Sequence, residues 1–292
     1  MRRLGFHVSI AGSVLDLVPR ALERRCTTVQ MFTTSPSQWA VKPLDPAVAP
    51  AFRAALLAAD IQPHFVHAIY LLNLASADPV LGERSINHLA EELRRAELLG
   101  AAGVILHCGS AGAEGHVSAA VKRLARGLVE ARRRSRTTVP LVLENGAGAG
   151  NTLGGDLEQL AEVIARAGAA EPLRLCLDTA HAFAAGLPIH TEEGLEATLT
   201  RLDELFTPER LLVLHCNDSR YDFHTHHDRH WHLGKGYIGR EAMRRIVNHP
   251  RLAPLPFIME TPGTVEDDRR NMYAIRRLLP QEERPKLRRW RR

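Results

Sequence analysis

The sequence predicts an α/β protein built as a single (β/α)8 barrel, and three observations predict it. Short β-branched or aliphatic runs alternate with longer amphipathic stretches, and the alternation repeats about eight times. The length of 292 residues suits one closed barrel, and no obvious linker divides it. No G-x-G-x-x-G turn follows the first run, as it usually does in an open dinucleotide-binding sheet.

The candidate strands, in order, are Leu4–Val8, Thr28–Phe32, His64–His67, Gly103–His107, Leu141–Glu144, Leu173–Leu177, Leu211–His215 and Phe257–Glu260. Between them apolar residues recur at helical spacing, as in Leu89, Leu93, Ala96, Leu99, in Val117, Val121, Leu124, Leu128 and in Leu195, Leu199, Leu202, Phe206. Each series gives a helix one apolar face for the sheet. Strand then helix, repeated, means a parallel sheet. One segment breaks the rhythm. From Asn217 to Gly239 the chain runs far longer than a normal strand-to-helix loop, is rich in histidine and ends in a glycine-rich turn. The barrel domain is expected over 1–280, with Gln281–Arg292 as a solvated, flexible basic tail.

Composition narrows the function classes. Lys plus Arg exceed Asp plus Glu by 38 − 33 = +5, an excess that permits a polyanionic partner without demanding one. The tail alone supplies +4 of it, from six basic and two acidic residues. Cys26, Cys108, Cys176 and Cys216 stand far apart without C-x-x-C spacing, against a disulfide framework or a structural zinc ribbon. Mean hydropathy is −0.17, no run approaches the roughly 18 apolar residues of a spanning helix, and the first apolar run breaks too early for a signal peptide. A soluble, cytoplasmic chain with no membrane partner is expected.

The fifteen histidines are the louder oddity. In a parallel barrel the active site forms at the carboxyl ends of the strands, so polar residues that close apolar strands are candidates. Six consecutive strands close on a ligand-type residue: His67, His107, Glu144, Asp178, His215 and Glu260. A lone strand-ending histidine is more often a hydrogen-bonded packing residue; six ligand types in a row are not explained that way. His181 follows Asp178 by three positions, and Asp228 and His230 sit at i, i+2 in the long loop, pointing the same way if extended. Nine such groups exceed one tetrahedral site, so two or three metals bridged by carboxylates are expected. Nitrogen and oxygen donors without thiolate suit zinc and would also accept manganese or iron.

The remaining candidates read more plainly. Cys108 and Cys216 each follow a ligand by one residue and should face the helix layer, while Cys176 shares parity with Asp178 and should fill the barrel interior. His7 ends near the mouth of the first strand and is expected behind the ligands. His64, His88, His116, His190 and His249 read as ordinary histidines, and His224, His226, His227 and His232 as solvated loop residues.

Several motifs occur in one order: His7-Val-Ser, H-x-x-Y-L-x-N-L from His67, Leu143-Glu-Asn, Leu177-Asp-Thr-Ala-His-Ala-Phe-Ala-Ala-Gly, His215-Cys-Asn-Asp, Asp228-Arg-His and Met259-Glu-Thr-Pro. Together, over nearly the whole chain, they resemble endonuclease IV, the zinc-dependent apurinic/apyrimidinic endonuclease family of base-excision repair. The resemblance implies a TIM barrel with three Zn2+ ions per chain. His67 and His107 would hold one zinc and share Glu144 with a second, which Asp178, His215 and Glu260 complete; His181, Asp228 and His230 would hold the third. It implies hydrolysis of the phosphodiester 5′ to an abasic site in double-stranded DNA, leaving a 3′-hydroxyl, by a multinuclear zinc-hydroxide mechanism with Glu144 and Glu260 as catalytic residues. Clustered divalent ions activate water at neutral pH and stabilise both the attacking and the leaving oxygen.

The resemblance also implies a wedge, Tyr70 and Leu71, that enters the duplex where the missing base makes extrusion easiest. The chain departs from the family pattern at Ser37, where an arginine is expected, and at Lys235 of Gly234-Lys235-Gly236, where Glu is commoner and the lysine is expected to contact phosphate. The nearest rival is a metal-dependent sugar isomerase or epimerase of the same barrel superfamily, which usually needs one or two metals. A non-catalytic DNA-binding protein is disfavoured because all nine ligands are present. A monomer is expected, since one chain supplies every ligand.

Overall fold

A computed structural model of the chain describes residues 2–284 except 114, 169, 170 and 172. Its strands are β1 (Leu4–His7), β2 (Thr28–Met31), β3 (His64–His67), β4 (Val104–His107), β5 (Leu141–Glu144), β6 (Arg174–Asp178), β7 (Leu211–His215), β8 (Asp218–Ser219), β9 (His230–Trp231) and β10 (Phe257–Met259). Eight of them pair in parallel and close a barrel in the order β1-β10-β7-β6-β5-β4-β3-β2. The helices are α1 (Leu17–Glu23), α2 (Val48–Ala58), α3 (Pro79–Leu99), α4 (Val117–Ser135), α5 (Leu157–Ala167), α6 (Thr179–Ala185), α7 (Glu192–Leu205), α8 (Arg240–Asn248) and α9 (Val265–Leu278). The single (β/α)8 TIM barrel read from the sequence is the observed fold, with strand ends shifted by about one residue at several termini.

Two apolar clusters follow from the alternation of side chains along a strand. Phe65, Ile105, Val142, Cys176, Val213 and Ile258 form a closed cluster inside the barrel, each at most 1% exposed. Each stands two residues before a strand-ending candidate: His67, His107, Glu144, Asp178, His215 and Glu260. Period two puts both sets on the inner face, so the polar residues form the next layer of the barrel core, above an apolar floor. The residues of opposite parity, such as Val66, Leu106, Leu143 and Leu214, face the helices in the larger cluster, which also takes Cys108 and Cys216. All four cysteines are unpaired and buried.

Local sequence sets the helices. Asp78 caps α3 by accepting from the Val80 N–H, Pro79 occupies the first turn, and Gly100 ends the helix at φ +76°, a left-handed position that favours glycine. Asp178 serves twice: it ends β6 and caps α6, its Oδ1 accepting from the His181 N–H at 2.8 Å. That bond sets His181 one turn beyond the strand.

The long connection after β7 is ordered. Asp218 and Ser219 pair antiparallel with Trp231 and His230. The buried Asp218 carboxylate gathers the backbone N–H groups of Ser219, Gly234, Gly236, Ile238 and Gly239 at 2.9–3.3 Å. Gly236 is required there, because a Cβ would lie 2.2 Å from the Ser219 carbonyl oxygen. The tail expected to be solvated from Gln281 begins instead with a docked turn: Gln281–Glu283 forms a 3-10 helix, and Glu283 pairs with the buried Arg2 at 2.6 Å. Residues 285–292, the rest of that basic tail, lie outside the described residues.

Candidate metal centre

The strand-ending residues converge into three adjoining groups whose donor atoms lie within 4.8 Å of one another. His67, His107 and Glu144 form one; Glu144, Asp178, His215 and Glu260 the second; Asp178, His181 and His230 the third. Glu144 belongs to the first two and Asp178 to the last two, so the cup is continuous. His67 Nε2 is 3.2 Å from Glu144 Oε2, and His215 Nδ1 is 3.1 Å from Glu144 Oε1 and 3.3 Å from Glu260 Oε2. His230 Nε2 lies 3.4 Å from Asp178 Oδ2. Asp228, half exposed on the rim, reaches His181 Nε2 at 3.1 Å and His230 Nε2 at 3.8 Å.

The outward hydrogen bonds of the imidazoles decide which nitrogen faces the cup. His67 Nδ1 donates to the Ala68 carbonyl at 2.7 Å, His181 Nδ1 to the Asn145 carbonyl at 2.9 Å and His230 Nδ1 to the Glu260 carbonyl at 3.3 Å. A carbonyl only accepts, so in each ring Nε2 carries the lone pair of the neutral form. In His215 the roles reverse: Nε2 donates to Gln30 Oε1 at 2.8 Å and Nδ1 faces the carboxylates. His230 Nε2 is buried without a hydrogen-bond partner. An unpartnered ring nitrogen beside Asp178 and Asp228 is what a cation would satisfy, so these residues fit a bound metal.

Charge tells the same story. Burial opposes ionisation of Glu144, yet His215, His107 and His181 outweigh it and hold the carboxyl well below the usual range. Burial likewise opposes ionisation of Glu260, and His215 and His7 overcome it. Asp228 is brought down to about 2 by His181 and His230 against the effect of burial. Burial also opposes charging His181 and His215, but Asp178, Asp228 and Glu144 raise the first, and Cys176 with Glu260 and Glu144 the second, well above the ordinary imidazole value. A divalent ion bound among these carboxylates would take the place of protons on the imidazoles.

A family model described as a xylose isomerase-like TIM barrel matches residues 20–281. A probable endonuclease 4 of Methanoculleus marisnigri is 42% identical over 282 residues, covering 94% of this chain and 98% of that protein. The chain belongs to the endonuclease IV family. A probable endonuclease 4 of Solibacter usitatus is 40% identical over 286 residues, 94% of this chain and 96% of its own. The crystal structure of endonuclease IV from Thermus thermophilus superposes with a TM-score of 0.85 at 38% identity, covering 94% of this chain and 98% of that one. A D-tagatose 3-epimerase-like protein shares the fold alone, at 17% identity and a TM-score of 0.69 over 94% of this chain and 96% of that one.

In this endonuclease IV family member all nine expected ligands meet at one cup. Above it opens a cavity of about 310 Å3 lined by His67, Tyr70, His107, His181, Asp228, Arg229, His230, Glu260 and Pro262. Tyr70 is 62% exposed at the rim, its ring 5.9 Å from His67 and 5.3 Å from Phe32. Leu71 is half-buried against the helix-side core and lies outside that lining. Ser37 and Lys235 are exposed on neighbouring loops, and neither borders the cavity.

Three residues that hold the ligands escaped the sequence reading. Gln30, fully buried near the end of β2, donates to Glu260 Oε1 at 2.7 Å, lies 3.0 Å from His7 Nδ1 and accepts from His215. Asn217 donates to Asp178 Oδ2 at 2.7 Å and accepts from the Glu260 N–H at 2.8 Å. Asn145 accepts from the Asp178 N–H at 2.6 Å. The available signal was position. Gln30 and His7 complete the inner ring on the two strands without a ligand, Asn145 directly follows Glu144, and Asn217 stands two positions beyond His215.

Proposed function

We propose that this chain is a DNA-repair endonuclease that hydrolyses the phosphodiester 5′ to an abasic site in double-stranded DNA and leaves a 3′-hydroxyl. The observation that carries the reading is the continuous cup: three donor groups joined through the shared carboxylates Glu144 and Asp178, at the floor of one cavity. His67, His107 and Glu144 would hold one zinc; Glu144, Asp178, His215 and Glu260 a second; His181, Asp228 and His230 a third, with Asp178 close to both of the last two. Bound there, divalent ions supply Lewis acidity toward phosphate oxygens and water acidic enough to ionise near pH 7.

The chain's own residues do the rest. Glu260 stays ionised beside His215 and His7, and the Gln30 amide fixes its carboxylate by donating to Oε1, which turns Oε2 toward the cup. Glu144, buried between two groups, keeps them at a fixed spacing for in-line displacement. No side-chain nucleophile is required: the described cavity lining holds no Ser, Thr or Cys, and burial pushes the Cys108 and Cys176 thiols up to about 12. Tyr70 stands where it can fill the gap left by the missing base. The cavity equals on the order of ten water volumes, which suits a sugar-phosphate unit stripped of its base.

A metal-dependent sugar isomerase or epimerase is less well supported, because a one- or two-metal site leaves His181, His230 and Asp228 without a role. The deciding experiment is cleavage of a synthetic abasic duplex by purified protein, with and without a strong chelator, beside elemental analysis. Cleavage lost on chelation and about three zinc ions per chain are expected. A single metal with sugar turnover and no cleavage would overturn the reading.

A further inference from the structure

The sequence shows the apolar stripe of α3, Leu89, Leu93, Ala96 and Leu99, but beside it runs a second, buried polar stripe. Ser85, His88, Glu92 and Arg95 follow one another at helical spacing, and none is more than 5% exposed. Glu92 is fully buried, and its Oε2 has no hydrogen-bond partner. A leucine would serve an ordinary helix-to-sheet contact with less desolvation, so the carboxylate calls for an explanation.

What the stripe touches supplies one. Glu92 Oε1 accepts from the Ile69 N–H at 3.3 Å, in the turn that carries Tyr70, and from the Thr34 hydroxyl at 3.4 Å, in the β2–α2 loop. His88 Nε2 lies 3.4 Å from the same Thr34 oxygen and 3.4 Å from Glu92 Oε1, and its ring meets Trp39 edge-on at 5.8 Å. Arg95 Nη1 donates to the Thr33 carbonyl at 2.9 Å and Nη2 to the Lys42 carbonyl. Ser85 Oγ accepts from the Asn73 N–H at 3.0 Å, at the far end of the Tyr70 turn. The two loops also touch directly, Phe32 against Tyr70 at 5.3 Å. One helix face therefore grips both rim loops through polar contacts.

We propose that Glu92, with His88 and Arg95, is a positioning residue that couples the Trp39 loop to the Tyr70 turn, so that both present to damaged DNA as one rigid unit. The idea rests on the reading that Tyr70 enters the duplex. It also bears on Ser37: with no arginine on that loop, the loop acts by bracing Tyr70 rather than by inserting its own side chain.

The test cuts the coupling at Thr34, on the loop opposite Tyr70, and at Glu92 itself. Thr34→Val removes the hydroxyl that ties the loop to Glu92 and His88, and Glu92→Gln keeps the shape while replacing one carboxyl oxygen with an amide donor. In the full-length zinc-loaded protein, backbone hydrogen exchange at residues 68–74 should quicken about fivefold in either variant, as the loss of one or two weak hydrogen bonds allows. KM for an abasic duplex should rise about five- to tenfold, with kcat and bound zinc per chain within about twofold of wild type. Unchanged exchange at 68–74 in both variants would overturn the coupling, and so would a fall in kcat or zinc content with KM unchanged. Failure of the wild type itself to cleave abasic DNA would sink the functional reading instead, and the exchange comparison would still judge the coupling.

Discussion

Gln30→Leu is the most searching single change, because it leaves every ligand in place. Leucine keeps most of the bulk of the fully buried amide but removes its bonds to Glu260 Oε1 at 2.7 Å and His215 Nε2 at 2.8 Å. The His215 N–H then has no acceptor at a position with no exposure. Orphaned buried groups cost about 1–3 kcal/mol each, so the fold should lose on the order of 3 kcal/mol in denaturant unfolding. His215 also loses what keeps Nδ1 as its free nitrogen, and such losses behind a ligand weaken metal binding about 10- to 100-fold, or about 1.4–2.7 kcal/mol. Competition with a chromophoric chelator should show one zinc per chain loosened by that factor, and excess zinc should restore most cleavage. Wild-type zinc affinity in the leucine variant would refute the tautomer argument.

Three further outcomes are expected. Glu260→Gln should lower cleavage of abasic duplex by about a thousandfold or more while intact-duplex binding and circular dichroism stay near wild type; unchanged cleavage would remove Glu260 from the mechanism. Arg229→Ala, at an exposed cavity-lining arginine, should weaken DNA binding across sequences and reduce the salt slope by about one, read from titrations at several salt concentrations. Burial pushes the His64 imidazole down to about 4, against a bond to the Leu99 backbone that works the other way. Below about pH 6.5 the unfolded chain binds a proton that the native chain refuses, so stability falls with pH down to about 4, by about 3 kcal/mol from this group. His64→Gln should flatten that fall in urea unfolding between pH 7 and 4.5; identical slopes would refute the assignment.

Legibility in the sequence tracks how local the cause is. The inner ring was readable because alternation along a strand is local: Ile105 and His107, or Val213 and His215, must share a face. The opposite placements of Cys176 inside and Cys108 and Cys216 outside follow from the same parity. Gln30 was not readable, since an amide is no ligand and its value lies in joining residues 185 and 230 positions away. Asn145 defeats parity because the chain leaves the sheet there and turns its side chain back to Asp178, whereas Asn217 keeps the parity of His215 but lies beyond the strand end, where alternation no longer decides direction. Asp218 works on backbone N–H groups 16 to 21 residues later, a pattern no side-chain motif announces. The apolar face of α3 was plain, whereas its polar stripe gains meaning only when the two loops lie over it.

The carbonyl bonds of His67, His181 and His230 have an evolutionary consequence. Their acceptors belong to the main chain at Ala68, Asn145 and Glu260, so the tautomers of those rings survive any side-chain replacement that preserves the backbone path. His215 alone among these four takes its orientation from another side chain. Drift can therefore change the side chain at position 68 without turning the His67 ring, while His215 ties the history of position 30 to its own.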